Sequence, residues 1–377
     1  MKILNTIPNL DIKSGGPSTC TYYLLKGLNR FEDIQADILT LNSTDSKWND
    51  SFIKYVSNDS ISSFMYSRNL KRYLFKSDKY DLYHANSLWT YPSHITKVIA
   101  QKLNSPFILS PHGMLYPQAL SISKWKKHIA YSLYQRKDID SATVLHATCN
   151  IEMQYMRELG LKNVIAVIPN CLYIDKQSLV DRNTTNAIRR FGFVGRINRI
   201  KNIDRILHVW KYLDKRTSNS MLEIIGSGDK IYEKELKEYV QKNGLQNVRF
   251  LGFLSGERLQ EEIRQLDFLI LPSKSENFGM VVPEALINRV PVIASRYTPW
   301  EELNTCSCGW WVDNDVQTLY DVINRVIDMS ESDRIVMGNN GRNLVLKKYT
   351  IEQVSFQMKR LYEWVLGMKE KPEFVYE

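Results

Sequence analysis

Short apolar runs alternate along the chain with stretches whose apolar positions recur three and four residues apart. In the front half, KILNTI (2–7), ADILTL (36–41), LYHA (82–85), PFILSPHG (106–113), TVLHAT (143–148) and VIAVIPN (164–170) predict strands. TCTYYLLKGLNR (19–30), SHITKVIAQKL (93–103) and NIEMQYMRELG (150–160) predict helices between some of them. The back half repeats the scheme with strands FGFVGR (191–196), LEIIGSG (222–228), VRFLGF (248–253), DFLILP (267–272), PVIASR (291–296) and GWWV (309–312). Helices such as IDRILHVWKYL (203–213) and YEKELKEYVQKNG (232–244) separate them. Strands this apolar are covered on both faces, and strand–helix alternation builds parallel sheets from βαβ units. The segment 174–190 has no clear period and reads as a linker. A chain of 377 residues exceeds one comfortable core. The expected fold class is therefore α/β, with two doubly wound, Rossmann-like domains, 1–173 and 174–350, facing each other across a cleft.

Open α/β sheets bind ligands at the carboxyl ends of their strands, so the polar residues following each run are the candidates. After the first strand, SGGPST (14–19) offers Gly15 and Gly16, where backbone can approach a ligand closely. It lacks the spacing of a dinucleotide loop. His112 follows FILSP, and Arg196 follows FGFVG with Lys201 five residues on. Gly226, Gly228 and Asp229 follow LEIIG, while GFLS (252–255) carries Phe253 and Leu254 to the surroundings of a bound base. SKSENFGMVVPEAL (273–286) places Glu276 in a loop and Glu284 about a turn into a helix, with Gly279 between them. Two such acids can grip hydroxyls while the amides of Phe278, Gly279 and Met280 face a phosphate. Taken singly, each glutamate reads as a solvated acid and each cation as a solvated cation. Arg196 and Lys201 together, a fork and a point charge, suit a diphosphate.

Charge adds a second theme. The net charge is +9, of which +7 lies in residues 1–180. The cations cluster in SRNLKRYLFK (67–76) and SKWKKHIAYSLYQRK (123–137), with apolar residues at helical spacing, Trp125, Ile129 and Leu133 in the second. Such a helix is either a membrane-surface or polyanion contact, or an ordinary amphipathic helix docked on its own sheet. No apolar run is long enough to span a bilayer, the first residues lack a signal-peptide pattern, and the five cysteines are scattered. A reducing, cytoplasmic setting follows. DID (138–140) and DND (313–315) match D-x-D, but neither adjoins a diphosphate loop, so no metal and no cofactor are expected. Nucleophile elbows and histidine pairs at metal spacing are missing.

Taken together, FGFVGRINRIKNID (191–204), SENFGMVVPEAL (275–286) and SGGPST resemble glycosyltransferase family 4, the retaining GT-B enzymes, over nearly the whole chain. SPHGML (110–115) followed by SKWKK, and CGWWVDND (308–315), resemble bacterial members that build lipopolysaccharide, O-antigen or capsular repeat units. The resemblance implies transfer of a hexose or N-acetylhexosamine from a nucleotide diphosphate sugar, UDP-linked first and GDP-mannose second. The acceptor it implies is a hydroxyl of a polyisoprenoid diphosphate-linked saccharide. Arg196 and Lys201 match the residues that hold the leaving diphosphate, Glu284 the acid on the ribose, and Glu276 the acid beside the donor sugar. His112 matches a histidine near the transferred sugar, and Gly15 and Gly16 the loop beside the phosphate. The last helix (350–368) is expected to cross back, joining 351–377 to the front domain. Lys124, Trp125, Lys126 and Lys127 become the contact with an anionic membrane surface, making a peripheral enzyme on the inner face of the plasma membrane. Nucleic acid is not an expected partner. A nucleotide-sugar epimerase of the same fold, and a non-catalytic nucleotide-sugar-binding scaffold at the membrane, are the alternatives.

Overall fold

The computed structural model describes residues 1–11, 16–42, 48–60, 62–174, 179 and 188–377. The chain divides into two compact units, one formed by Met1–Tyr173 with Thr350–Glu377 and the other by Ile174–Tyr349.

The first unit is built on strands β1 (Lys2–Thr6), β2 (Gln35–Leu41), β3 (Ile53–Val56), β4 (Leu82–Asn86), β5 (Phe107–Ser110), β6 (Val144–Ala147) and β7 (Ile165–Val167). A short C-terminal strand, Val375–Tyr376, pairs antiparallel with β7, and the remaining pairs among the described residues are parallel. The order across the sheet is the C-terminal strand, then β7-β6-β5-β4-β1-β2-β3. Side chains alternate between its faces. Ile3, Ile38, Leu82, Ile108 and Val144 pack under helices Gly16–Leu28 and Ile351–Val365. Leu4, Leu39, Tyr83, Leu109 and Leu145 pack under helices Arg68–Lys76 and Tyr91–Lys102. Each such side chain contributes about 1.5–3 kcal/mol on burial. Helix Ile351–Val365 starts at Thr350, whose hydroxyl accepts from the Gln353 amide, and buries Ile351, Val354, Met358 and Leu361 at helical spacing.

The second unit has strands β8 (Arg189–Val194), β9 (Ser220–Ile225), β10 (Val248–Gly252), β11 (Phe268–Leu271), β12 (Val292–Ser295) and β13 (Gly309–Val312). They run parallel in the order β10-β9-β8-β11-β12-β13. Phe191 stacks on Phe268 at 5.4 Å and meets Trp210 edge-on at 5.3 Å, all three fully buried.

Three features differ from the sequence reading. The strands β3 (four residues) and Val375–Tyr376 (two residues) are too short for periodicity to reveal. Strand β8 begins at Arg189, inside the expected linker, because Arg190 neutralises its charge on Glu223 (2.7 Å) and Glu262 (2.9 Å) and donates its amide to Asp267. The basic segment begins after Ser123 in the left-handed region (φ 54°) and runs helically from Lys124 to Asp140, with a π-helical turn at Tyr131–Gln135 inside it and a separate short helix, Pro117–Ser121, before it.

Candidate functional site

In the second unit, the loops after β8, β9 and β11 are tied to one another by backbone. Ile197 donates to Ser227 O (3.1 Å), Asp229 to Ile197 O (2.8 Å), and Lys274 to Ile200 O (2.7 Å). Gly226 has φ 143°, and a Cβ there would stand 1.9 Å from Gly195 O, so no other residue fits. Asp229 spends its carboxylate capping helix Lys230–Lys242, accepting from the amides of Ile231 (2.9 Å) and Tyr232 (3.1 Å).

These loops fix the charged residues. Lys201 ends a short 3₁₀ turn capped by Asn198, and its ammonium is ion-paired to Glu276 Oε1, which also accepts from Ser273 Oγ at 2.9 Å. Arg196 is exposed and has no ion-pair partner among the described residues. Gly279 turns the chain at φ 77° just before helix Val281–Ile287. The Phe278 side chain is buried against Trp300 (5.2 Å) and Tyr349 (5.8 Å), while its carbonyl accepts from Trp300 Nε1 at 2.5 Å. Only its backbone is left to face a ligand. On that helix, the Glu284 carboxylate has no protein partner among the described residues, and desolvation pushes its pKa up to about 7. Phe253 is exposed and Leu254 partly buried after β10.

The carboxyl end of the first unit's sheet is built differently. His84, Ser110 and His146 form a buried line, His84 Nε2 lying 2.6 Å from Ser110 Oγ and His146 Nδ1 2.7 Å from it. Tyr362, on the last helix, sits 2.8 Å from His84 Nδ1. His112 adopts φ 51°, and its Nε2 lies 3.0 Å from Asn86 Oδ1. Ser87 (φ 120°) and Trp89 (φ 65°) add strained backbone immediately after β4. Glu152 holds the turn after His112 by accepting from Gly113 N (2.5 Å) and Thr148 N (2.7 Å). Gly16 opens the first helix, and Gly15 lies outside the described residues. The sequence reading missed Asn5, Asn86, Glu152 and Tyr362. Their only signal was a polar residue at the end of an apolar run or inside a helix's apolar stripe.

Of the two alternatives for the basic segment, Trp125, Ile129 and Leu133 do not dock on the protein's own sheet. They are 67%, 48% and 70% exposed, next to Ile122 at 65%. The basic arm also corrects Lys127 as a free surface cation. Its ammonium donates to Ala119 O and lies 5.9 Å over the Trp89 ring, and burial lowers its pKa. Lys124 and Lys126 are exposed. Behind the arm is a cavity of about 330 Å³ lined mainly by Trp89, Leu115, Pro117, Leu120, Tyr131 and Leu159.

The D-x-D carboxylates all have protein partners. Asp138 pairs with His94 (2.9 Å) and Lys97 (3.5 Å), and Asp140 with Arg136 (2.7 Å). Asp313 lies 3.5 Å from Arg296, and Asp315 caps helix Val316–Ile327. No cluster of three or more His, Cys, Asp or Glu among the described residues is placed to hold a metal ion. No helix among them is long and apolar enough to cross a membrane.

Two family models match the chain, the glycosyl transferase 4-like domain over residues 15–171 and glycosyl transferases group 1 over residues 182–344. An uncharacterised glycosyltransferase of Methanocaldococcus jannaschii is 27% identical over 345 residues, spanning 89% of this chain and 92% of that one. An uncharacterised protein in the cps region of Klebsiella pneumoniae is 26% identical over 278 residues, 70% and 72% of the two chains. The crystal structure of Anabaena HepE in complex with UDP and glucose matches with a TM-score of 0.74 at 16% identity, covering 97% of this chain and all of that one.

Proposed function

The chain belongs to the 4-like and group 1 glycosyltransferases of GT-B fold, and on that premise we propose that it moves a sugar from a nucleotide diphosphate donor to a hydroxyl of a lipid-linked saccharide, with retention at the anomeric carbon. The second unit takes the donor and the first the acceptor. A UDP-sugar is the first choice, in keeping with the UDP and glucose in the HepE complex. The observation that carries the reading is Glu284, a partly buried carboxylate at the start of helix Val281–Ile287 with no protein partner among the described residues. A carboxylate placed this way accepts from a pair of ribose hydroxyls, which replace the water that reaches it in the free protein. Arg196 and Lys201 take up the charge developing on the departing phosphate, in the manner of an oxyanion hole. Lys201 starts from its pair with Glu276. Diphosphate binding loosens that pair and turns the Glu276 carboxylate toward the hydroxyls of the donor sugar. His112 is the sugar contact offered by the first unit.

The acceptor reading rests on the exposed apolar stripe Ile122–Trp125–Ile129–Leu133 flanked by Lys124 and Lys126. An apolar face bordered by lysines suits the headgroup boundary of an anionic leaflet, giving a peripheral enzyme on the cytoplasmic face. Surface polysaccharide assembly accords with both this arm and the relative in a cps region. The deciding experiment offers labelled UDP-glucose, UDP-N-acetylglucosamine and GDP-mannose with a lipid extract as acceptor. Label passing into lipid-linked product supports the reading. An isomerised sugar nucleotide, or binding with no turnover of any donor, overturns it.

A further inference from the structure

Backbone carbonyls near both ends, Ile168 O beside His146 and Thr6 O beside Asn86, agree on the direction of the protons in the first unit's buried polar chain. Ile168 O can only accept, so His146 Nε2, 2.8 Å away, carries a hydrogen. Burial pushes the pKa of His146 down to about 4, so at neutral pH Nδ1 is bare and accepts the Ser110 hydroxyl proton at 2.7 Å. With that proton committed, Ser110 Oγ accepts from His84 Nε2 at 2.6 Å. His84 is held neutral by burial in the same way, and its bare Nδ1 accepts the Tyr362 hydroxyl proton at 2.8 Å. The Tyr362 oxygen then accepts from Asn5 Nδ2 at 3.4 Å. Asn5 Oδ1 accepts from Asn86 Nδ2 at 3.1 Å and, with the longer contact to Thr6 O at 3.5 Å, orients Asn86 so that its Oδ1 accepts from His112 Nε2 at 3.0 Å.

His112 is the end of the line. Burial lowers its pKa to about 3, so with Nε2 protonated its Nδ1 carries a lone pair. That atom is buried and has no partner among the described residues. Most buried polar atoms are satisfied, and one left over beside strained backbone points to a ligand group. The opposite tautomer of His112 would set two lone pairs, Nε2 and Asn86 Oδ1, against each other. Tyr362 is fully buried, at the middle of the chain, and is the one link contributed by the last helix.

We propose that Tyr362 is a positioning residue that holds His112 in its Nε2–H tautomer, so that the bare Nδ1 accepts a hydrogen bond from a hydroxyl of the bound sugar. The functional half of this rests on the reading of His112 as a sugar contact. The tautomer half does not.

The tautomers are read directly by long-range ¹H–¹⁵N correlation on the full chain labelled with ¹⁵N-histidine. His84, His112 and His146 should all show a protonated Nε2 and a bare Nδ1 at pH 7.5. A protonated Nδ1 on His112 overturns the proposal and leaves the glycosyl-transfer reading standing. Kinetics test the function, using whichever of UDP-glucose, UDP-N-acetylglucosamine and GDP-mannose is turned over. Tyr362→Phe keeps the buried ring and should lower kcat about tenfold in the wild-type background. It should lower kcat by less than twofold when His112→Ala is already present, because both act through one atom. Equal losses in the two backgrounds mean that Tyr362 serves only the fold, and the proposal fails. A wild-type rate for His112→Ala, with the tautomers as derived, overturns the reading of His112 and this proposal with it.

Discussion

The two units present opposite electrostatics at the carboxyl ends of similar parallel sheets. In the second, the candidate residues are charged and incompletely matched. Arg196 is exposed, Lys201 is paired to Glu276, and Glu284 has no protein partner among the described residues. In the first, the residues are neutral, buried and joined by hydrogen bonds of fixed direction. The first unit nevertheless holds most of the chain's excess positive charge, carried on surface helices rather than at its strand ends. Charge that awaits a polyanion must stay partly solvated in the free protein, whereas a group that orients a hydroxyl works best desolvated and immobile. Each arrangement carries its own response to pH, to mutation and to salt.

Acid separates the two units most strongly. The buried histidines have folded pKa values below the unfolded value of 6.5, about 3 for His112 and about 4 for His146. The folded first unit therefore binds fewer protons than the unfolded chain, and its stability falls as pH drops from about 6.5 toward those values. At pH 5 the loss is on the order of 2 kcal/mol for each histidine. Glu284 acts in the other direction. Its folded pKa of about 7 lies above the unfolded 4.5, so its contribution weakens as pH rises through that window. Hydrogen exchange followed by mass spectrometry at pH 5 and 7.5, corrected for intrinsic rates, should show β4–β6 losing protection on acidification while β8–β12 keep theirs. Equal losses in both sheets would contradict the contrast.

Next in size is removal of the cations. Arg196→Ala and Lys201→Ala each delete charge-assisted hydrogen bonds to the leaving diphosphate worth roughly 1.5–3 kcal/mol. Turnover at saturating donor should fall about tenfold to a hundredfold. Lys201→Ala should be the more harmful, because it also leaves Glu276 without its cation. Wild-type turnover in both single variants would remove these residues from the mechanism.

Glu284 gives the third test, in binding rather than rate. Ribose hydroxyls donate to the ionised carboxylate, which is about a tenth populated at pH 6 and nine-tenths at pH 8 if its pKa is about 7. The affinity of UDP, followed by calorimetry, should rise about tenfold over that interval. In Glu284→Gln the rise should vanish. The same substitution should raise the melting temperature of the free protein at pH 8 and leave it nearly unchanged at pH 4.5. A pH-independent affinity in the wild type would place the ribose elsewhere.

The same contrast explains which residues the sequence made visible. Arg196, Lys201, Glu276 and Glu284 stand out because a charged residue just past an apolar run is conspicuous, and the helix and strand periods locate that run. The polar chain of the first unit is almost invisible by the same means. Asn5, His84 and Ser110 interrupt apolar runs by single residues, and Asn5 and Tyr362 meet across 357 positions of sequence. Nothing local announces such a contact. Asp229 misleads in the opposite sense, since an acid after a glycine loop looks like a ligand contact while its geometry is that of a helix cap. For residues 123–137 the period announced an amphipathic stripe but not what covers it. The structure leaves Trp125, Ile129 and Leu133 exposed.

The smallest effect concerns that stripe and tests whether the first unit's charge really lies apart from its site. Lys126 is exposed, with its ammonium 5.6 Å from the Trp125 ring, whereas Lys127 is folded inward onto Ala119 O and the Trp89 ring. Only a cation that reaches the membrane plane gains from an anionic leaflet, about 1 kcal/mol for each lysine, and salt screens that gain. Lys126→Ala should weaken co-sedimentation with phosphatidylglycerol-containing vesicles about fivefold at low salt, with little effect at high salt. Lys127→Met should change that affinity less than twofold and instead speed amide exchange in Pro117–Ala130, because it withdraws the ammonium that ties the two helices together. Neither substitution should alter UDP affinity, which belongs to the other unit. Equal losses of vesicle binding for Lys126→Ala and Lys127→Met would show that both lysines face the membrane and that the inward contact of Lys127 gives way on binding. Wild-type indifference to anionic vesicles at low salt would leave the exposed stripe without the partner assigned to it.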